Sequence, residues 1–215
     1  MTHEIKCTLC GLNVELYCEV KNKAYYKCTN CLSVFLDPRN LPSREEERSR
    51  YEEHNNNVED LRYQEFVAPI VNAIKHNFTA EHVGLDFGAG TGPVITKLLR
   101  DNGYIIGLYD PLFWDHPGVL NEMYDYIACC EVMEHFHNPR KEFALLRSLL
   151  KPNGVLYCMT DLYSENIDFR RWRYKNDQSH VFFYHKHALE WIQSHMQFSR
   201  LEIKGRLIQF SGRRS

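Results

Sequence analysis

Apolar positions along the chain fall into two kinds of pattern. Short unbroken runs at residues 82–87 (HVGLDF), 104–110 (YIIGLYD), 125–130 (DYIACC) and 149–160 (LLKPNGVLYCMT) read as buried strands. Between the first two lies PVITKLLRDNG, a helical pattern with Pro93 suited to its first turn. Upstream, Leu61, Phe66, Ile70 and Ile74 fit the apolar side of one or two helices, with Pro69 kinking or starting one of them. Ser43 and Glu46 have the spacing of a capping box. Residues 11–28 alternate as a hairpin with a polar turn near Lys21, Asn22 and Lys23, and SRLEIKGRLIQFSGRR reads as two closing strands around Gly205.

Composition narrows what these elements build. At 215 residues the chain can bury one full core beside a small appendage. Its 26 Lys and Arg against 28 Asp and Glu leave a net charge of −2, so no global field favours nucleic acid or an anionic membrane. No apolar run approaches the ~18 residues that cross a bilayer, and MTHEIKCTLC lacks the build of a signal peptide. A cytoplasmic protein is expected, in a compartment that keeps thiols reduced.

That compartment changes the meaning of the cysteines. Cys7 with Cys10, and Cys28 with Cys31, are two pairs with two intervening residues each, the spacing of thiolate knuckles that share a tetrahedral zinc ion. Disulfides or free structural thiols are the competing reading. Fewer than forty residues cannot hold a core alone, so the ion would supply much of the folding free energy of a ribbon over residues 1–36. Cys18 lies outside both pairs and is expected to pack as a small apolar residue. A helical linker or cap over 37–82 and a larger domain over 83–215 complete the expected organisation, with a protein partner for the ribbon left open.

Residues 88–92, GAGTG, carry the first chemistry. Strand, glycine turn and helix start form the cofactor half of a doubly wound sheet, where Gly88, Gly90 and Gly92 let a ligand approach the backbone and the helix start favours an anionic group. The spacing is GxGxG, not the dinucleotide GxGxxG, which weighs against an NAD-dependent oxidoreductase. Asp110, ending the next strand, suits a ribose in either case.

DFGAGTG, Asp110, DYIACCEVMEHF and LLKPNGVLYCMT together resemble, in order and spacing, the class I S-adenosylmethionine-dependent methyltransferases, over roughly residues 50 to 210. The ribbon ahead of RYEEHNNN also resembles a group of small bacterial methyltransferases. The resemblance implies a Rossmann-like α/β sheet with helices on both faces, preceded by the small zinc ribbon. It implies that Asp86, Gly88, Ala89, Gly90 and Gly92 surround the methionyl part of the cofactor, that Asp110 takes the ribose hydroxyls, and that Cys130 and Glu131 close the site. Only fourteen residues separate Asp110 from Asp125, where that family fits a helix and a third strand. The adenine pocket must be built differently, and Phe113 or Trp114 is the candidate ring beside adenine, with core packing as the alternative.

EVMEH is similar to a motif of the ubiquinone-pathway O-methyltransferases and small-RNA 2′-O-methyltransferases that holds a divalent metal, so Glu131, Glu134 and His135, if helical from Val132, form a candidate ion site. Downstream, residues 169–192 crowd Trp172, Tyr174, Phe182, Phe183 and Tyr184 around Asp177 and His180. His180 is the first candidate for a base, with Asp177 beside it, facing an aromatic or apolar substrate. His185 and His187 are expected to start the next helix, exposed. In RYEEHNNN, Arg50, Tyr51 and His54 are candidates for lining the pocket or capping a turn. The combined expectation is a methyltransferase acting on a small-molecule or biosynthetic-intermediate acceptor at oxygen or carbon. A non-catalytic module that docks protein or RNA through the ribbon is the rival of another class.

Overall fold

The computed structural model describes residues 5–53 and 57–212. Strands β1 (Val14–Val20) and β2 (Lys23–Cys28) form the expected hairpin. Its turn passes through Lys21 and Asn22 at φ 49° and 62°, the left-handed pair that matches strand twist in a two-residue loop. After the second cysteine pair, β3 (Val34–Leu36) runs antiparallel to β2. Helix α1 (Arg44–Glu52) starts at Ser43 with the capping box in place, and α2 (Leu61–Asn77) runs through Pro69 without ending there. The buried stripe of α2 is Val67, Ile70, Val71 and Ile74. Leu61 and Phe66, expected on that side, lie outside the stripe and are 71% and 37% exposed.

The main sheet follows. Strands β4 (Val83–Phe87), β5 (Ile105–Tyr109), β6 (Tyr124–Cys130) and β7 (Leu150–Met159) pair in parallel, with α3 (Val94–Asp101) after β4 and α4 (Pro139–Ser148) after β6. Beyond β7 come a two-residue β8 (Phe182–Phe183), α5 (Lys186–His195), β9 (Arg200–Lys204) and β10 (Leu207–Ser211). The sheet order is β5-β4-β6-β7-β10-β9, with β10 antiparallel to both neighbours. Both faces are covered, which is why its strands read as apolar runs. Tyr126, Ala128 and Tyr157 pack with α2 and α3, whereas Ile127, Cys129, Leu156 and Cys158 pack with α4 and α5. Between β5 and β6 the chain makes a bridge at Asp110 and Trp114 and a 3₁₀ turn over Pro117–Asn121, so β5 is the sheet edge. Among the described residues no helix is long and apolar enough to cross a membrane.

The four cysteines converge as their spacing predicts. All four are buried, with Sγ atoms within 4.8 Å of one another, Cys7 to Cys31 at 3.7 Å and Cys10 to Cys28 at 3.3 Å. Four thiolates about 2.3 Å from a zinc ion stand about 3.8 Å apart in a tetrahedron, so the cluster is close to the size zinc requires. Cys18 is buried among Tyr25, Val34 and Leu36. Metal analysis of the purified protein is expected to find about one zinc per chain, and Cys28→Ser to lower that content and the melting temperature together. Stoichiometric protein without zinc overturns the assignment.

Candidate active site

β4 and β6 are neighbours where the strand order reverses, and the connections leaving their carboxyl ends run to opposite faces, to α3 and to α4, which leaves a crevice, the usual ligand position in open α/β sheets. The glycine turn forms its floor. Gly88 and Ala89 donate to the Tyr109 carbonyl at 2.8 and 3.2 Å, and the Gly90 amide donates to Asp110 Oδ2 at 3.0 Å. Gly88 has φ 78°, and a Cβ there would meet Val132 Cγ2 at 2.4 Å. Gly90, at φ 59°, faces open space. Asp110 Oδ1 accepts from the Leu112 and Phe113 amides. Its carboxylate therefore holds the turn together while standing on the wall of a cavity of about 750 Å³.

Other cofactor candidates divide between that cavity and a narrow recess behind it. Asp86, Ala89, Gly92 and Cys130 line the recess with Tyr63, and Gly88 and Glu131 border both spaces. Asp86 is fully buried and accepts from the Thr96 hydroxyl at 2.8 Å, yet burial outweighs that bond and raises its pKa to about 6. Trp114 turns back and donates Nε1–H to the Gly90 carbonyl at 2.7 Å. Phe113 lies edge-on to Tyr51, and Pro111 and Leu112 of that loop line the cavity where neither Phe113 nor Trp114 does.

EVMEH does not form the α-helix expected from Val132. Glu131 takes a left-handed φ of 52°, and only a single 3₁₀ turn covers Met133–His135 before α4 begins at Pro139. The consequence is a regrouping of the candidate ion ligands. Glu131 is pulled to Arg206, whose Nη2 donates to its Oε2 at 2.6 Å, and Arg206 also pairs with Asp161. Glu134, His135 and His180 come together instead, with one ligand atom of each within 4.8 Å. Glu134 Oε1 lies 4.0 Å from His135 Nε2 and 3.9 Å from His180 Nε2, and accepts a short hydrogen bond from the Tyr174 hydroxyl.

Both imidazoles are oriented by main-chain carbonyls. His135 Nδ1 stands 2.8 Å from the Ser179 oxygen and His180 Nδ1 2.7 Å from the Tyr174 oxygen. A carbonyl only accepts, so Nδ1 carries the hydrogen and Nε2 of the neutral ring is an acceptor turned toward Glu134. Burial, with His135 beside it, lowers the His180 pKa to about 3. Glu134 and Glu131 are shifted the other way: burial holds both carboxyls above the usual range, and Glu134 adds repulsion at Glu131. Among the described residues the buried Glu131 Oε1 and Glu134 Oε2 have no hydrogen-bond partner.

Asp177 stands apart from this cluster. Its carboxylate accepts from the Ser179 amide and hydroxyl and from Arg50 Nη2 at 3.1 Å, and those bonds hold its pKa below the usual carboxylate range despite burial. It ties α1 to the loop, and the Nδ1 proton of His180 is held by the Tyr174 carbonyl instead. Tyr51, on α1, packs its ring 5.3 Å from that of His135 and lines the cavity, Arg50 reaches Asp177 instead, and His54 lies outside the described residues. His185 is buried and caps α5 through the His187 amide, contrary to the expected exposure, because Ser33 and Tyr163 cover it; His187 is exposed. Arg206 and Tyr174 were not singled out by the sequence as partners of the two glutamates. An arginine opening the otherwise apolar strand LIQF is the only local signal for the first.

No curated protein matches the chain. The profile of a family described as a methyltransferase domain matches residues 58–202. Among solved structures, an O-methyltransferase family protein from Burkholderia thailandensis is 13% identical with a TM-score of 0.53, covering 79% of this chain and 63% of its own, so this chain spans less than two thirds of it. The 1,6-didemethyltoxoflavin-N1-methyltransferase of the same organism, solved with its substrate and S-adenosylhomocysteine, is 15% identical with a TM-score of 0.54 over 94% of this chain and 99% of its own. Magnesium protoporphyrin IX methyltransferase from Synechocystis, with bound S-adenosylhomocysteine, is 12% identical with a TM-score of 0.51 over 79% and 95%. At such identities the likeness is one of fold. With the family profile spanning well over half of its residues, across the glycine turn, Asp110 and the EVMEH segment, the chain belongs to the methyltransferase-domain family.

Proposed function

We propose that the protein transfers a methyl group from S-adenosylmethionine to an oxygen or carbon of a small-molecule acceptor. The observation that carries this reading is that the cofactor crevice reaches the Glu134, His135 and His180 cluster through His135, which with Glu131 lines the same cavity as Gly88, Gly90 and Asp110, while Glu134 is enclosed behind it and His180 lines a neighbouring pocket with Tyr174. The residues fit such a cofactor. An open glycine turn admits its backbone-hugging chain, Asp110 on the cavity wall offers a carboxylate to ribose hydroxyls, and a buried acid in the recess suits an ammonium group.

S-adenosylmethionine, when bound, supplies a methyl on a good leaving group, so the chain's task is alignment, exclusion of water and removal of the acceptor proton. Basicity favours Glu134 for that proton over His180. An imidazole with a pKa near 3 gains little by taking it, while a buried carboxylate held above its usual range is a stronger base. His180 and His135 would then orient the acceptor, and Tyr174 would steady Glu134 through its hydroxyl.

A second reading is favoured by one observation. A buried carboxylate oxygen without a partner and two inward Nε2 atoms form a set of acceptors with the ligand types of a divalent cation. Glu134, His135 and His180 would hold it, in place of the Glu131, Glu134 and His135 set read from the sequence. Bound there, it would lower the pKa of an acceptor hydroxyl.

Two measurements follow. Calorimetry is expected to show S-adenosylhomocysteine binding and no NAD binding. S-adenosylmethionine affinity should be about tenfold weaker at pH 5 than at pH 7, since Asp86 must release its proton for the ammonium. The sign follows from a native pKa raised above the unfolded value: the free chain holds the extra proton from about pH 4 to 6 and loses stability as pH rises through that window, whereas the cofactor's cation favours the deprotonated form. Asp86→Asn should flatten the profile, and pH-independent binding by the unaltered chain refutes the role. Glu134→Gln should reduce turnover on an identified acceptor by about 100-fold with S-adenosylhomocysteine affinity within threefold. If the cation reading holds, magnesium, manganese or zinc should raise the melting temperature of the unaltered zinc-ribbon-loaded protein and not of this variant.

A further inference from the structure

The ribbon is not a separate unit beside the methyltransferase sheet. Its own sheet has the order β1-β2-β3-β8, and β8 comes from the segment directly after His180. Val34 pairs with Phe183 and Phe35 with Phe182, whose rings stack 5.8 Å apart at 12°. The Leu36 amide donates to the Val181 carbonyl at 2.9 Å, and the His185 amide to Ser33 Oγ at 3.3 Å. The main sheet pairs with none of the residues of β8.

On its other side the same segment holds the acid and histidine cluster. The Val181 amide donates to the Glu134 carbonyl at 2.9 Å, Tyr184 donates its hydroxyl to the Met133 carbonyl at 2.9 Å, and the Ser179 carbonyl receives His135 Nδ1. Val181 is thus bonded to the ribbon through its carbonyl and to the Glu134 turn through its amide. Neither neighbour is self-supporting: Met133–His135 is one 3₁₀ turn, and β3 has three residues. β3 is held by its pairing with β2 and by the cysteine knuckle in front of it, where the Cys28 amide donates to the Ser33 carbonyl, and Cys28 ends β2.

We propose that the zinc ribbon is a positioning element of the active site: metal held by Cys7, Cys10, Cys28 and Cys31 sets β3, β3 sets residues 181–183, and these set His180 and the Glu134 turn. The glycine turn of the cofactor half is fastened elsewhere, to β5 by Tyr109 and Asp110, and the sheet face turned to α2 and α3 packs in an apolar cluster without a ribbon residue. On the opposite face Leu85, Phe87, Ile127 and Cys129 share a cluster with Leu9, Phe35 and the four cysteines. Metal occupancy then governs the acceptor side through a continuous run of hydrogen bonds and reaches the cofactor side only through side-chain packing. The catalytic meaning of this positioning rests on the function proposed above, but the positioning itself does not.

The test is amide hydrogen exchange on the full chain, zinc-loaded and chelator-stripped, with calorimetry of S-adenosylhomocysteine on both. Stripping is expected to lower protection of the amides of residues 34–36 and 181–184 together by about 100-fold. Protection in β4 and β6 should persist, and the affinity should change less than about threefold. Retained protection at 181–184 while the ribbon opens overturns the proposal, and so does loss of protection throughout, since the cofactor half would then depend on the metal as well. Phe35→Ala in the zinc-loaded protein provides the second arm. It should keep its full zinc content and its β4 and β6 protection yet lose at least about tenfold protection at residues 181–183. Unchanged exchange there overturns the proposal. Exchange reads the positioning without any turnover, whereas the Glu134→Gln kinetics read the function, so either can fail while the other stands.

Discussion

The site depends on the parting of the chain at β4. With β5 on one side and β6 on the other, the connections after β4 and β6 run to opposite faces and leave a crevice that neither fills. The cofactor side is fastened at that opening: the glycine turn to β5 through Tyr109 and Asp110, and Glu131 at the end of β6 to the neighbouring β7 through the Met159 carbonyl. The left-handed conformation at Glu131 is a local cost that the surrounding bonds over-determine. It turns that carboxylate to Arg206 and leaves Glu134 to face the histidines.

Two different uses are made of buried acid. Asp86 and Glu134 are each fully enclosed and held toward the protonated state, one in the recess behind the glycines and the other among imidazoles. Among the described residues neither has a lysine or arginine as its hydrogen-bonding partner, and hydroxyls of Thr96 and Tyr174 serve instead. Such carboxyls are poised for a cation or a proton that comes from outside the chain. Asp37 and Asp177 show the contrast, since arginines pair with both and hold them ionised as structural ties.

The missing third strand has a structural consequence as well. Without a helix and strand beyond β5, the edge of the sheet is spanned by fourteen residues, and α1 lies where the cavity would otherwise be open. Arg44 reaches the Pro111 carbonyl, Glu47 meets His137 at 2.9 Å, and Arg50 meets Asp177. Helix α1 thus borders the cavity and is held there by three polar contacts.

What the sequence determined by itself is everything set by neighbours along the chain: the two cysteine knuckles, the Lys21 and Asn22 turn, the Ser43 capping box, and the strand, glycine turn and helix at residues 82–99 with Asp110 after the next strand. Periodicity, turn chemistry and ligand spacing are local, and local rules carry them. The shortened sheet was legible for the same reason, as a gap too short for a helix and a strand. Tertiary structure alone decided which acids face which histidines. Glu131 and Glu134 are three residues apart, and helical spacing would put them on one side; a single left-handed residue sends them to Arg206 and His180, forty or more positions away. It also decided that Leu61 and Phe66 stay outside the core, that His185 is buried, and that β8 joins the ribbon, because each depends on the surface that arrives from elsewhere in the chain.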